Sequence, residues 1–285
     1  MSIDNRSQIF HIGLHKTATT FLQGCYFPNL IEDDGTPVSW RRPGVESILS
    51  GKHRSCRIVS QENLSGVLEP EVPGASWARF ETFLEALRKS RQTSKIILFI
   101  RPHQEWLLSA YVDRVKRGFR GSFLEYAELF SIMDLSWEKR IAECREVANE
   151  TFVVTYPKFK TNPEETLKRL TRFLRLRTTR PLRDLISGSP RLNVSPKTEF
   201  ALTVARVAYS RIGRKALRLL SRAYFQNAGS SDSMRDRLVA TANRVPHARP
   251  LLIDPSLPGS LSKRLEDDWN SALRALEKDG LLSVK

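Results

Sequence analysis

Residues 8–23 read QIFHIGLHKTATTFLQ, and the order of residue types along them decides the fold. Gln8 to Ile12 (QIFHI) is a short apolar run suited to a buried strand. It passes into Gly13, His15 and Lys16, then into Thr17, Ala18, Thr19 and Thr20, and Phe21, Leu22 and Cys25 follow at helical spacing. Strand, tight loop, lysine, hydroxyl cluster and helix start together make an anion site. The first amides of a helix lack intrahelical partners and sit at the positive end of its dipole, so they bind phosphate-like groups. Lys16 adds a point charge on a flexible stem. The loop is not of the Walker A type, which needs G-x-x-x-x-G-K-[ST]: a single Gly stands three residues before the Lys, and the hydroxyls run four residues beyond it.

Outward from this stretch, β-rich runs alternate with helical patterns. Arg57 to Ser60 (RIVS), Lys95 to Ile100 (KIILFI) and Thr151 to Thr155 (TFVVT) read as strands. Phe80, Phe83, Leu84 and Leu87 line one helix face before KIILFI, and Ile141, Cys144 and Val147 do the same before TFVVT. Such alternation predicts an α/β fold: a three-layer, P-loop-like arrangement with a central parallel sheet flanked by helices. Beyond Thr155 the β signal fades. Asn162-Pro163-Glu164-Glu165 opens a helix with a capping Asn, Pro at the first position and acids in the first turn. Helical patterns return from Thr198 to Ala223, and again from Ser260, where Leu261, Leu265, Trp269, Ala272, Leu273 and Leu276 share a face. The expectation is one domain over 1–285, with an α/β core in 1–160 and a mainly helical part in 161–285.

The 285 residues carry 46 Lys and Arg against 31 Asp and Glu, a net charge of +15. Between Thr166 and Arg222 fifteen basic residues stand against two acidic ones, Asp184 and Glu199. Such a field attracts anions: a nucleotide with several phosphates, RNA or an acidic glycan. It is equally what a solvated basic surface looks like. The 40% apolar share fits a globular core and argues against disorder. No run approaches the ~20 apolar residues of a membrane span, and residues 1–6 have no signal-peptide character, so a soluble cytoplasmic protein is expected. Cys25, Cys56 and Cys144 are odd in number and scattered, which gives neither a disulfide framework nor metal-ligand spacing. No metal is expected.

A second motif follows the strand KIILFI. Arg101-Pro102 stands at the carboxyl end of that strand, where α/β sheets bind ligands, and Ser109 lies eight residues on in a helix. A guanidinium fork suits a phosphate dianion. Together, IFHIGLHKTATTFLQ and IRPHQEWLLSAYVDRVKRG resemble the two nucleotide-binding segments of sulfotransferases that use 3′-phosphoadenosine-5′-phosphosulfate (PAPS), most closely the bacterial, glycan-type members. These usually have Gly where this chain has Ala18, a change that matters if the position has positive φ. SQENLS (Ser60 to Ser65), RLNVS (Arg191 to Ser195) and the EDDWN of the last helix are similar too. The resemblance implies a sulfotransferase whose 1–160 core binds the nucleotide. In it, Gly13, Lys16, Thr17, Ala18, Thr19 and Thr20 hold the 5′-phosphosulfate, Arg101 and Ser109 hold the 3′-phosphate, and Lys16 acts as a charge clamp on the bridging oxygen. PAPS is then the co-substrate, PAP the product, and a hydroxylated acceptor, expected to be a carbohydrate or glycoconjugate, the partner.

An acceptor hydroxyl needs a general base. Glu62, just past the second strand, faces the ligand edge, and similar glycan and tyrosine sulfotransferases use a Glu. His15, His53 and His103 are rivals, and a structural carboxylate paired with an Arg is the competing role for Glu62. Two other classes stay open. A P-loop kinase or NTPase would need a Walker B Asp where KIILFIRP puts Arg101. A nucleic-acid or polyanion binder would interleave aromatics with its basic residues, yet Thr166 to Arg222 holds only Phe173, Phe200 and Tyr209, so no nucleic-acid partner is expected. The loop from Pro28 to Gly44, with Trp40, and the stretch from Val67 to Trp77 are candidate acceptor walls.

Overall fold

The computed structural model describes residues 7–13, 17–51, 56–65, 78–90, 93–130, 135–188, 199–210, 212–213, 215–216, 231–246, 249 and 253–278. His15, Lys16, His53, the segment Arg191 to Ser195 and the stretch Val67 to Trp77 lie outside them. The chain divides into two compact units. The first comprises Met1–Trp106, Leu129–Ser189 and Pro258–Lys285; the second comprises Leu107–Glu128 and Pro190–Leu257.

The first unit is built on seven strands: β1 (Gln8–His11), β2 (Leu30–Ile31), β3 (Trp40–Arg41), β4 (Ile58–Ser60), β5 (Ser94–Ile100), β6 (Glu150–Thr155) and β7 (Arg177–Thr178). Five form a parallel sheet in the order β3-β4-β1-β5-β6. The short β2 and β7 pair antiparallel on their own. Every residue of β5 is buried, the consequence of a run with apolar side chains for both faces. Lys95 is the exception in kind. Its ammonium is buried, and it reaches Glu150 at 2.8 Å and the Phe173 carbonyl at 2.9 Å, so the charge is matched.

Twelve helices accompany the strands among the described residues: α1 (Thr19–Phe21), α2 (Val45–Leu49), α3 (Ala78–Ser90), α4 (His103–Lys116), α5 (Phe123–Ala127), α6 (Trp137–Val147), α7 (Tyr156–Thr161), α8 (Pro163–Leu174), α9 (Leu182–Ser187), α10 (Glu199–Tyr209), α11 (Ser231–Ala242) and α12 (Gly259–Lys278). Strand alternation sorts helices of the first unit onto the two faces of the sheet. Ile9, Ile97, Phe99, Phe152 and Val154 face Leu167, Leu170 and Leu174 of α8 in one core. Phe10 points the other way and meets Phe83 of α3 edge-on at 5.2 Å. Burying each such side chain stabilises the fold by about 1.5–3 kcal/mol. The Asn162 side chain caps α8 by accepting from the Glu165 amide at 3.3 Å, as its sequence implies.

In the second unit, α5 opens with a capping box between Ser122 and Glu125. Tyr111 packs against Phe119, Phe123 and Tyr126, and its hydroxyl donates to the Gly121 carbonyl at 3.0 Å. The α10 helix packs on α11.

The four strands and the flanking helices expected from the sequence are present, and the architecture is the expected three-layer α/β fold with a mainly helical C-terminal part. Strands β2, β3 and β7 are additions. Each is two residues long, too short for any periodicity to show. The segment from Pro28 to Gly44, read as loop, carries two of them. The helix after the loop is also irregular: α1 passes directly into a π turn (Leu22–Tyr26) and a 3₁₀ turn (Phe27–Asn29). Among the described residues no helix is long and apolar enough to cross a membrane.

Candidate functional site

Strand β1 lies at the centre of the sheet, and the strand order reverses there, which is where open parallel sheets leave a crevice for ligands. The loop leaving β1 turns into α1 at Ala18, which has φ 68° and ψ 9° and no side-chain cap. This is the left-handed region, which costs a residue with a Cβ about 1–2 kcal/mol. The turn is held by the Leu22 amide, which donates to the Ala18 carbonyl at 3.1 Å. Thr17 and Thr19 are buried and Thr20 is exposed. Thr19 Oγ1 is buried with no hydrogen-bond partner in the protein.

The root of the loop is set by a residue that sequence reasoning missed. A Cβ on Gly13 would lie 2.7 Å from His11 Nε2, so residue 13 is glycine because the imidazole fills its side-chain space. His11 is fully buried between Phe27 and Phe99. Its Nδ1 lies 2.8 Å from Ser60 Oγ, which also accepts from the Gln23 amide at 2.9 Å. Burial pushes the His11 pKa down to about 3, so the ring is neutral at ordinary pH. The signal for this role was its place inside an apolar strand, on the far side of the pleat from Phe10.

Glu62 begins a 3₁₀ turn immediately after β4 and Gln61. Its carboxylate accepts from Arg42 Nη2 at 2.9 Å; the Glu62 side chain is 17% exposed and that of Arg42 50%. Gln61 steadies the turn from both sides. Its amide donates to the His11 carbonyl, and its side chain donates to the Pro43 carbonyl and accepts from the Asn63 amide. Trp40 is partly buried and packs near Phe27 at 6.1 Å.

Arg101 follows β5 directly. Its guanidinium stacks over the Tyr156 ring at 4.8 Å, and its Nε donates to Glu105 at 3.2 Å. Ser109 lies further along α4, on the part that belongs to the second unit. His103 is no surface histidine. It is buried, stacks on Trp137 at 5.2 Å, and its Nε2 is 2.5 Å from the Leu135 carbonyl. That removes it from the candidate bases. Among the described residues no group of three or more His, Cys, Asp or Glu side chains is placed to hold a metal ion.

Among solved structures, the chain is similar to the crystal structure of mouse sulfotransferase SULT7A1 complexed with PAP. The likeness covers 98% of this chain and 91% of that one, with a TM-score of 0.50 and 14% sequence identity. The fold is that of a sulfotransferase. No protein-family model and no curated protein matches the chain by sequence. In a parallel sheet the carboxyl ends of the strands share one edge, and among the described residues Gly13, Glu62 and Arg101 follow β1, β4 and β5 toward that edge.

Proposed function

We propose that this chain is a PAPS-dependent sulfotransferase, and the observation that carries the reading is the turn at Ala18. A left-handed residue closes a short loop between the central parallel strand and a helix start, with a buried Thr19 hydroxyl unmatched by protein at its base. That cradle fits a 5′-phosphosulfate: backbone amides and hydroxyls are its natural donors. Arg101 supplies a fork for the 3′-phosphate. Lys16 neutralises charge on the oxygen bridging phosphorus and sulfur.

In the reaction, the acceptor oxygen forms a bond to sulfur as the bond from sulfur to the bridging oxygen breaks, and PAP leaves with the electron pair. The transition state is loose, so positioning and charge stabilisation do most of the work. Glu62 takes the acceptor proton. Its pairing with Arg42 orients the carboxylate. A carbohydrate or glycoconjugate is the favoured acceptor, because the basic field of the chain draws acidic glycans.

The test is transfer of labelled sulfate from PAPS to a panel of glycans, lipids and phenols, run on the wild type and on Glu62→Gln. The wild type should sulfate a hydroxylated acceptor, with EDTA present and without. The variant should fold, bind PAP normally and lose about 10²–10⁴ in turnover. No transfer to any acceptor, together with no PAP binding, defeats the reading. A variant with a lowered melting temperature but normal turnover per folded molecule makes Glu62 a structural partner of Arg42 only.

A further inference from the structure

Asp268, near the middle of α12, has both carboxylate oxygens engaged. Its Oδ1 accepts from Ser136 Oγ at 2.6 Å, and its Oδ2 accepts from the Trp137 amide at 2.7 Å. His103 Nε2 lies 3.2 Å from the same Oδ2 and 2.5 Å from the Leu135 carbonyl, so that nitrogen carries the proton. Burial opposes a charge on Asp268, but the bonds from His103, Ser136 and the Trp137 amide outweigh it and hold the carboxyl below its usual range. An ionised carboxylate at the start of α6 also matches the helix dipole, while the Ser136 hydroxyl caps the helix by accepting from the Lys139 amide at 3.2 Å. Three bonds and a buried stack therefore fix the first residue of α6.

That first residue is Trp137, fully buried, and its indole N–H donates to the carbonyl of Arg101 at 2.8 Å. The peptide it grips joins Arg101 to Pro102, where the proline already restricts the backbone to extended conformations. Tyr156 and Glu105 hold the far end of the same side chain. We infer that Asp268 is a positioning residue for the nucleotide site: by fixing the start of α6 it makes Trp137 clamp the Arg101 carbonyl, and so aims the guanidinium at a 3′-phosphate. The inference rests on the assignment of Arg101 made above. Asp268 itself touches no reacting group.

The test compares affinities for PAP and for adenosine 5′-monophosphate (AMP), whose ratio reads the 3′-phosphate alone. Trp137→Phe keeps an aromatic ring against His103 and removes the N–H. Asp268→Asn keeps the shape and loses the charge and one acceptor. Each should weaken PAP by about three- to tenfold, the range for one hydrogen bond, and leave AMP nearly unchanged. In transfer assays KM for PAPS should rise while kcat holds. If either folded variant lowers the melting temperature and keeps the wild-type ratio, Asp268 is a structural cap and the inference is overturned. If instead the wild type binds PAP and AMP alike, the assignment of Arg101 fails, and the clamp fails with it.

Discussion

The proposed anion site after β1 is shaped by near neighbours: His11 fills the space beside Gly13, and Ala18 makes the turn. Arg101, at the end of an adjacent strand, is held by Trp137, Tyr156 and, through α6, Asp268. One site is made by backbone conformation and small residues. The other is made by aromatic packing and a partly buried carboxylate. The local site depends on the space beside Gly13 and on the backbone at Ala18. The remote site tolerates changes of shape better than changes in its hydrogen bonds and charge.

Substitutions at each site put that contrast at risk. The largest effect is expected from Lys16→Ala, which should cut turnover by about 10²–10³, the range for removing one preorganised donor to the transition state. PAP, which lacks the sulfuryl group, should lose much less affinity in the same variant. Equal losses in turnover and in PAP binding, measured side by side, reduce Lys16 to an ordinary binding residue. Gly13→Ala comes next. The new methyl meets a buried ring pinned by Ser60, and such overpacking costs about 1–3 kcal/mol. A denaturant midpoint unchanged from wild type would show that the loop root is loose. A double-mutant cycle with His11→Ala should show positive coupling between the two positions.

Arg101→Lys tests the other region. The charge is kept, but the fork and the stack over Tyr156 are lost, so PAP affinity should fall by about tenfold while AMP binding stays level. A lysine that binds PAP as well as arginine would make the site a simple charge attraction. The smallest effect belongs to Ala18→Gly. Relief of the left-handed strain exceeds the added freedom of the unfolded chain, for a net gain of about 0.5–1 kcal/mol. A lower melting temperature in this variant would mean that the Ala18 methyl contributes packing worth more than the strain.

The same contrast explains what was legible in the sequence. KIILFI and QIFHI announce buried strands, and the Gly13–Thr20 loop is readable because its parts are contiguous. The positive φ at Ala18 has no sign in the chain's own residues, since alanine does not mark a left-handed turn. Nothing contiguous, however, joins Arg101 to Trp137, or Trp137 to Asp268; EDDWN shows only as an acidic and aromatic patch on an amphipathic helix. His103 misleads for the same reason. Its neighbours in sequence are polar, and the groups that cover it, Leu135, Trp137 and Asp268, all come from far along the chain. His11 was hidden differently: its place inside an apolar strand marks it as buried, but not that it would fill the space beside Gly13.

Asp268 reaches back 131 residues to the Trp137 amide. At roughly 5–20 residues per second of synthesis, a nascent chain has made β5, α6 and the whole phosphate loop several seconds to tens of seconds before α12 exists. The sheet and the loop can form on the ribosome, but the grip on Arg101 waits for α12. On the proposed assignment, the part of the nucleotide site built from near neighbours is therefore made before the part that α12 completes.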